Sequence, residues 1–502
     1  MVKRIPAEPS AKKDRVLTRR TFLSLVASAG AAAIAAGCAP AAAPSPTAAP
    51  KATEAPKPAA TTAPAATAAP APAAKPTQAP AQSGAAKPFA GVELNVACFQ
   101  LMFTQNLKDF LPEFEQQPGM KINLDLQAFA VYNQRADLEL STKGSAWDVM
   151  NITYIYSMRW IGAGWFTNLE EYIKDPNKTP KEWEADDFAS GAMTPLKNEK
   201  GDRFGFPFMA GTYGAWWSRS DLLEKAGLKP PKTFDEMMKA VAAVHGKEGC
   251  AGFVSDKLHH WNAIPYIMGF GGKVFKDPPT NVTPMLDMPE TIEGAAYWAK
   301  LLREYAPQGV LTYTDDQAMA AQMEGRANLR TNALDWMASV ADPAKSKTAK
   351  TLLVTELPAG PKGSFPASNS HGFGIPIGAK KKDAAWEFMK WANSKELVSR
   401  MVKDKGYGSP TRVSAIRSPE FKQKMTVNGV DVASIYERIL DLGGKGGYMM
   451  YRIVPVFPQV GDKINKAVEA IASNQMSAEA AMKQAQQEAV ADLKKAGIKM
   501  DA

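Results

Sequence analysis

The chain has 502 residues, a formal charge of +9 and three cysteines. That length suffices for two or more hydrophobic cores, and so few cysteines exclude a disulfide-built scaffold. Residues 1–37 carry +5 and residues 38–89 carry +3, leaving about +1 for the rest; a nucleic-acid-binding domain needs basic groups clustered on its folded part, so that class is excluded.

Thr18-Arg19-Arg20-Thr21-Phe22-Leu23 precedes an apolar run over residues 25–36. The run is too short and too rich in alanine for a membrane span, and with its basic flank it reads as an export signal. The paired arginines followed by Phe22 and Leu23 resemble a twin-arginine signal. Ala35-Ala36-Gly37-Cys38 resembles a bacterial lipobox, with Ala35 where Leu is usual. Cys38 is then the expected lipidation site and first mature residue, held at a membrane without spanning it. Residues 38–89 are almost all Ala, Pro and Thr. Such a stretch buries no core and is expected to be a disordered tether, on the order of 150 Å long at ~3.1 Å per residue if extended.

The folded part begins with alternating residues 92–98, a strand. Residues 104–116 place Leu107, Phe110, Leu111 and Phe114 at helical spacing, and residues 121–126 alternate again. A second helix over 131–143 leads to a strand over 147–152. Strand, helix, strand with short connections is a βαβ unit and predicts a parallel sheet. Ligands of open α/β sheets sit beyond the carboxyl ends of strands, which points to Gln100, Thr153, Tyr154 and Tyr156.

Residues 204–231 read as a crossing between two bodies. Phe204, Phe206 and Phe208 alternate as in a strand. Gly211 and Gly214 are expected to loosen the backbone before a second, aromatic strand at Ala215-Trp216-Trp217. Ser220 fits the N-cap of a helix over 221–226, and Gly227 its C′ position. Thr233-Phe234-Asp235-Glu236 is a capping box. An apolar segment over 261–270 ends at Gly271-Gly272. Residues 289–304 form a helix with Ile292, Ala296 and Leu302 inward, and residues 315–324 another, closed by Gly325. Strands are predicted over 328–332, 352–357 and 373–377, and helices over 383–393 and 477–495. The loop at 358–363 is a candidate second crossing.

No Gly-x-Ser-x-Gly, His-Glu-x-x-His, Walker A or Cys-x-x-Cys pattern occurs. Adjacent His259 and His260 point apart on a strand and make a poor metal pair; no metal and no cofactor are expected. Cys98 and Cys250 are expected as free thiols. The glycine-rich run over 443–447 lacks the strand–loop–helix setting of a phosphate site and reads as a flexible loop. Aromatic residues gather near strand ends and crossings: Tyr154, Tyr156, Tyr213, Trp216, Trp261 and Trp336. Flat aromatic faces stack on sugar C–H faces, while amides, carboxylates and arginines meet hydroxyls.

Several ordered blocks carry a family resemblance. They are Trp147-Asp148-Val149 with 162–169, the stretch 204–236, Gly269-Phe270-Gly271-Gly272, Met323-Glu324-Gly325-Arg326-Ala327 followed by Trp336, Leu357-Pro358-Ala359-Gly360, His371-Gly372-Phe373-Gly374-Ile375, and 384–389. Together they resemble the family 1 extracellular solute-binding proteins of ABC importers, the maltose-binding-protein class, over about residues 91–495. The resemblance implies an α/β, two-lobe periplasmic-binding-protein fold of the type II kind. Its ligand cleft lies between lobes joined by hinge crossings, and it closes by hinge motion. It implies residues 90–210 and 358–398 as one lobe and 211–357 and 399–502 as the other. By position it implies ligand-binding roles for Tyr156, Thr212, Tyr213, Trp261, Asn332, Trp336, His371 and Arg412; Asp148 and His260 are further ligand-binding candidates. Trp216 and Trp217 match the strand leaving the hinge, so at least one belongs to the core. The implied function is a monomeric, non-catalytic receptor delivering a mono- or oligosaccharide to an ABC permease. A secreted carbohydrate-active enzyme, and the same fold serving a non-sugar solute or a sensor, are the alternatives.

Overall fold

A computed structural model describes residues 87–445 and 451–501. The export signal, Cys38 and nearly all of the tether lie outside the described residues.

Strands β1 (Glu93–Phe99), β2 (Lys121–Gln127) and β3 (Val149–Thr153) are joined by helices α1 (Met102–Gln116) and α2 (Phe129–Ser141). They pair in parallel, as the βαβ pattern requires. The chain then enters β4 (Gly205–Trp217) and α3 (Phe234–Val244), followed by β5 (Ala251–Phe253) and a hairpin of β6 (Phe275–Asp277) and β7 (Asn281–Pro284). Next come α4 (Pro289–Tyr305), α5 (Asp315–Met323), β8 (Ala327–Ala333), β9 (Leu353–Thr355) and β10 (Ser368–Gly374). The remainder is largely helical: α6 (Lys382–Ala392), α7 (Lys395–Lys405), α8 (Val432–Lys445), α9 (Phe457–Ala472) and α10 (Ala478–Lys495). The main sheet runs β2-β1-β3-β10-β4-β8-β5, with β9 also on β4.

One strand links two cores. The first half of β4 pairs with β10, and its last five residues pair with β8. Phe206 and Phe208 join the core around β1–β3, whereas Tyr213, Ala215 and Trp217 join the core around β5, α3 and α4. Trp216 points the other way, into a third apolar cluster with Leu334, Val354 and Tyr436. Both tryptophans are fully buried. The predicted crossing is therefore present, but as one unbroken strand of 13 residues. Gly211 and Gly214 do not interrupt it. They make room instead, because a Cβ on Gly211 would lie 2.8 Å from the Asn369 side chain and one on Gly214 would lie 2.7 Å from Leu334.

The second crossing is β10. The loop at 358–363 folds onto α3 through a bridge between Thr233 and Ala359 and hydrogen bonds to Gly269. Three other expectations shift. Ser220 is the first helical residue and Arg219 the cap. The inward face of α4 is Thr291, Ala295, Trp298 and Leu302, one residue out of phase with the reading for Ile292 and Ala296. Gly443 and Gly444 lie in α8, where the missing side chains allow contact with Ser368 and Gly191. The Thr233 capping box forms, and an unpredicted one forms at Thr314. The limit drawn at 398/399 falls inside α7, whose Leu397 and Met401 both pack in the first core. Cys98 lies in the first core and Cys250 in the second, each a buried free thiol.

Candidate ligand-binding cleft

Where β4 and β10 run side by side, Gly211 opposes Asn369 and Thr212 opposes Ser368. A cavity of about 210 Å³ opens there, lined by Gly211, Tyr213, Ser368 and Asn369 from the crossing strands. Its opposite wall is Asp256, Leu258, Trp261 and Asn262, which follow the carboxyl end of β5, together with Asp315 and Asn332. Strand ends and helix starts supply these groups because backbone pairing stops there and side chains turn toward the opening.

The wall is held by a buried polar network. Asp256 Oδ1 accepts from the Leu258 amide at 2.8 Å and from Asn262 Nδ2 at 3.0 Å. Asn332 Nδ2 donates to Asp315 Oδ1 at 2.7 Å. The buried Arg330 guanidinium donates to Asp315 and lies 3.9 Å from Asp256 Oδ2. Burial raises the Asp256 carboxyl above its usual range, while the Leu258 amide and then Arg330 oppose that rise. On the face of the crossing strands turned away from the cavity, the buried Thr212 and Ser368 hydroxyls have no hydrogen-bond partner, and neither has Nδ1 of His371. Such groups are costly inside a protein.

An aromatic wall adjoins the polar one. Tyr154 meets Trp261 edge to face at 5.6 Å and His371 at 5.3 Å. Arg452, 1% exposed, lays its guanidinium over the Trp261 ring and donates from Nη2 to the Tyr154 hydroxyl at 2.9 Å. Burial, then the Arg452 charge, pushes His371 down to about 3 and His260 to about 4. His260 Nδ1 also pairs with Asn465 Oδ1 at 3.0 Å. Among the described residues, no group of three or more His, Cys, Asp or Glu is arranged to hold a metal ion.

Of the residues expected at the site, Tyr213, Trp261 and Asn332 line the cavity. Thr212, Tyr154, His371 and His260 stand at or behind its walls. The structure does not bring the others in. Asp148, just before β3, accepts from Asn95 N and pairs with Lys381 at 3.3 Å, at the strand end away from the cleft. Arg412 is buried on Asp187 at 3.2 Å and on the carbonyls of Trp183, Glu184 and Asn393. Thr153 donates to Asn133. Tyr156 stacks on Trp160 of its own short helix. Gln100 is exposed beyond β1, and Trp336 packs half-buried on the third cluster. The sequence reading missed Asp256, Asn262, Asp315, Ser368, Asn369 and Arg452. The strand-end rule finds the first two when applied to β5, and the Thr314 capping box marks Asp315; no pattern marks Arg452.

A sheet that threads two cores, with a polar and aromatic cavity beside its crossing strands, defines the two-lobe solute-receptor class. A solute-binding protein of an ABC transporter from Agrobacterium radiobacter, solved with ribitol, shares this fold. Its TM-score is 0.67 at 23% identity, over 80% of this chain and 99% of that one. The chain belongs to the bacterial extracellular solute-binding protein family, whose profile matches residues 110–428. The family is extracytoplasmic. A maltotriose-binding protein of Pyrococcus abyssi is 26% identical over 328 residues, 63% of this chain and 67% of the relative. A mannitol-binding protein of Pseudomonas aeruginosa is 22% identical over 401 residues, 76% of this chain and 88% of the relative.

Proposed function

We propose that this chain is a carbohydrate receptor, for a sugar or polyol, that delivers its ligand to the permease of an ABC importer and catalyses no reaction on it. The observation that carries this reading is the cavity at the crossing strands. Asp256, Asn262, Asp315, Asn332 and Asn369 offer acceptors and donors to several hydroxyls at once, beside Tyr213 and Trp261. Relatives that bind maltotriose and mannitol support the same class. The carboxylates are held by Arg330 and the amides around them, which suits binding more than proton transfer.

In this reading the two crossing strands act as the hinge, and ligand closes the lobes over the cavity. Residues 1–37 direct export, Cys38 carries the lipid, and residues 38–89 tether the monomeric receptor above the membrane. The test is a thermal-shift screen across sugars, alditols, amino acids and short peptides. A ligand that binds only the native state raises the melting temperature. A rise with sugars or alditols is the expected result. A rise confined to amino acids or peptides, or chemical turnover of a bound glycan, overturns the reading.

A further inference from the structure

Arg452 is rooted beside one core and bonded to the other. Its neighbours Tyr451 and Val454, with Phe457 at the start of α9, pack in the core around β5, α3 and α4. Trp261, whose ring the guanidinium covers, stands in the short helix His259–Asn262 that follows β5. That helix rests on α9, where His260 meets the Phe457 ring at 5.8 Å and pairs with Asn465. Tyr154 belongs to the other side. It follows β3, whose Val149, Met150 and Ile152 lie in the core around β1–β3, and it packs on His371 of β10. The bond of 2.9 Å from Arg452 Nη2 to the Tyr154 hydroxyl therefore passes from the second core to the first. Arg452 and Tyr154 are both buried. A hydrogen bond that carries a charge is roughly twice as strong as a neutral one, and it gains further strength away from water.

We propose that Arg452 is the latch between the lobes: it fixes Trp261 at the cavity wall and, through the Tyr154 hydroxyl, ties that wall to the first lobe. The inference rests on the hinge reading above and names the group that holds the hinge shut. A rotation about β4 and β10 that parts the two cores carries Arg452 away from Tyr154 and breaks the bond. Trp261 joins the latch to the site, since it lines the cavity and also meets Tyr154 edge to face. A ligand resting on Trp261 steadies the indole on which the guanidinium lies, and the guanidinium keeps its reach to Tyr154. Occupancy of the cavity and closure then support each other. Arginine suits the task because its planar cation lies flat on an indole while its donor fork reaches a phenol oxygen. Arg452 acts through Trp261 and Tyr154 and is a positioning residue.

Spin labels on the mature protein test it, one at Ala163→Cys, just past the short helix after Tyr154, and one at Lys257→Cys, just before the helix that carries Trp261. Both positions are exposed, Cys98 and Cys250 are buried, and Cys38→Ser removes the remaining thiol. Pulsed electron resonance reads the separation in the otherwise unchanged chain, in Tyr154→Phe, in Arg452→Met and in the double variant. Tyr154→Phe removes only a hydroxyl and keeps the ring, so it carries the test alone if Arg452→Met does not fold. Each single variant is expected to raise the ratio of the longer to the shorter separation about tenfold, the worth of roughly one charge-assisted hydrogen bond. The double variant is expected to raise it no further than the larger single effect, because both remove one bond. Ribitol, mannitol and maltotriose are then added at millimolar concentration, and one of them is expected to restore the shorter separation in the single variants. An unchanged distribution in the single variants, or additive effects in the double one, overturns the latch. If one of the three compounds still raises the melting temperature, the carbohydrate reading stands without it. A longer separation that none of the three shortens supports the latch and counts against the carbohydrate reading. A separation that no substitution and no compound alters overturns the latch and the hinge together.

Discussion

Asn332 sits where β8 meets the cavity, and its amide is split between two tasks. Nδ2 donates to Asp315, and Oδ1 accepts from the Ala333 amide at 2.6 Å. Asn332→Ala removes a cavity-lining amide and leaves Asp315 with Arg330 as its remaining partner. Ligand affinity is expected to fall about tenfold, the worth of roughly one hydrogen bond to a partly charged network. Titration calorimetry reads that loss, and an unchanged dissociation constant places the ligand elsewhere. The histidines make a second residue-scale prediction. His371 and His260 hold protons only near pH 3 and 4 in the folded chain, against about 6.5 when exposed. Below pH 6.5 the unfolded state binds more protons, so stability falls as pH drops from 6.5 toward 4. Each residue contributes up to about 1.4 kcal/mol per pH unit across that window. Asp256, raised by burial, takes up its proton first in the folded state and offsets part of the loss. Urea unfolding at pH 7.5, 6 and 5 is expected to give falling midpoints, and His371→Gln a shallower fall. Flat midpoints contradict neutral burial of these rings.

At the scale of the element, β4 and β10 carry the account. Gly372 lies in the middle of β10, where an added Cβ would meet the Phe206 carbonyl oxygen at 2.6 Å. Backbone cannot step aside as a side chain can, so Gly372→Ala is expected to cost about 1–3 kcal/mol by overpacking. A lowered unfolding midpoint tests this, and an unshifted one shows that the strands part easily. These two strands also show what the sequence could carry. The alternating Phe204, Phe206 and Phe208 marked β4, and Thr233 with Glu236 marked the start of α3, because period and capping are local signals. The glycines misled, since Gly211 and Gly214 are there for the Asn369 and Leu334 side chains, contacts that come from distant chain. β10 was read only at its end, because Ser368-Asn369-Ser370-His371 is polar and has no strand pattern of its own. It is buried by β3 and β4 on either side and by Ala192 and α8 across one face. For the same reason Arg452 left no trace: its role depends on Trp261 and Tyr154, both far from it in sequence. Trp261 and Asn332 were legible because each stands in a block that keeps its place relative to a turn or a strand.

For the whole molecule, the claim is a receptor held outside the cytoplasm by its N-terminus. Cys38→Ser is expected to move the protein from the membrane fraction to the soluble extracytoplasmic fraction, read by fractionation and immunoblot. A variant that stays with the membrane contradicts lipid attachment at this residue. The folded part then needs to bind on its own, since everything that lines the cavity lies between Gly211 and Asn369. A crystal structure of the protein with the sugar or alditol that most raises its melting temperature tests the central claim most directly. The account expects one intact ligand between Asp256, Asn332 and Asn369, with its hydroxyls bonded to these side chains. A ligand bound away from the crossing strands, or a cleaved one within them, contradicts it.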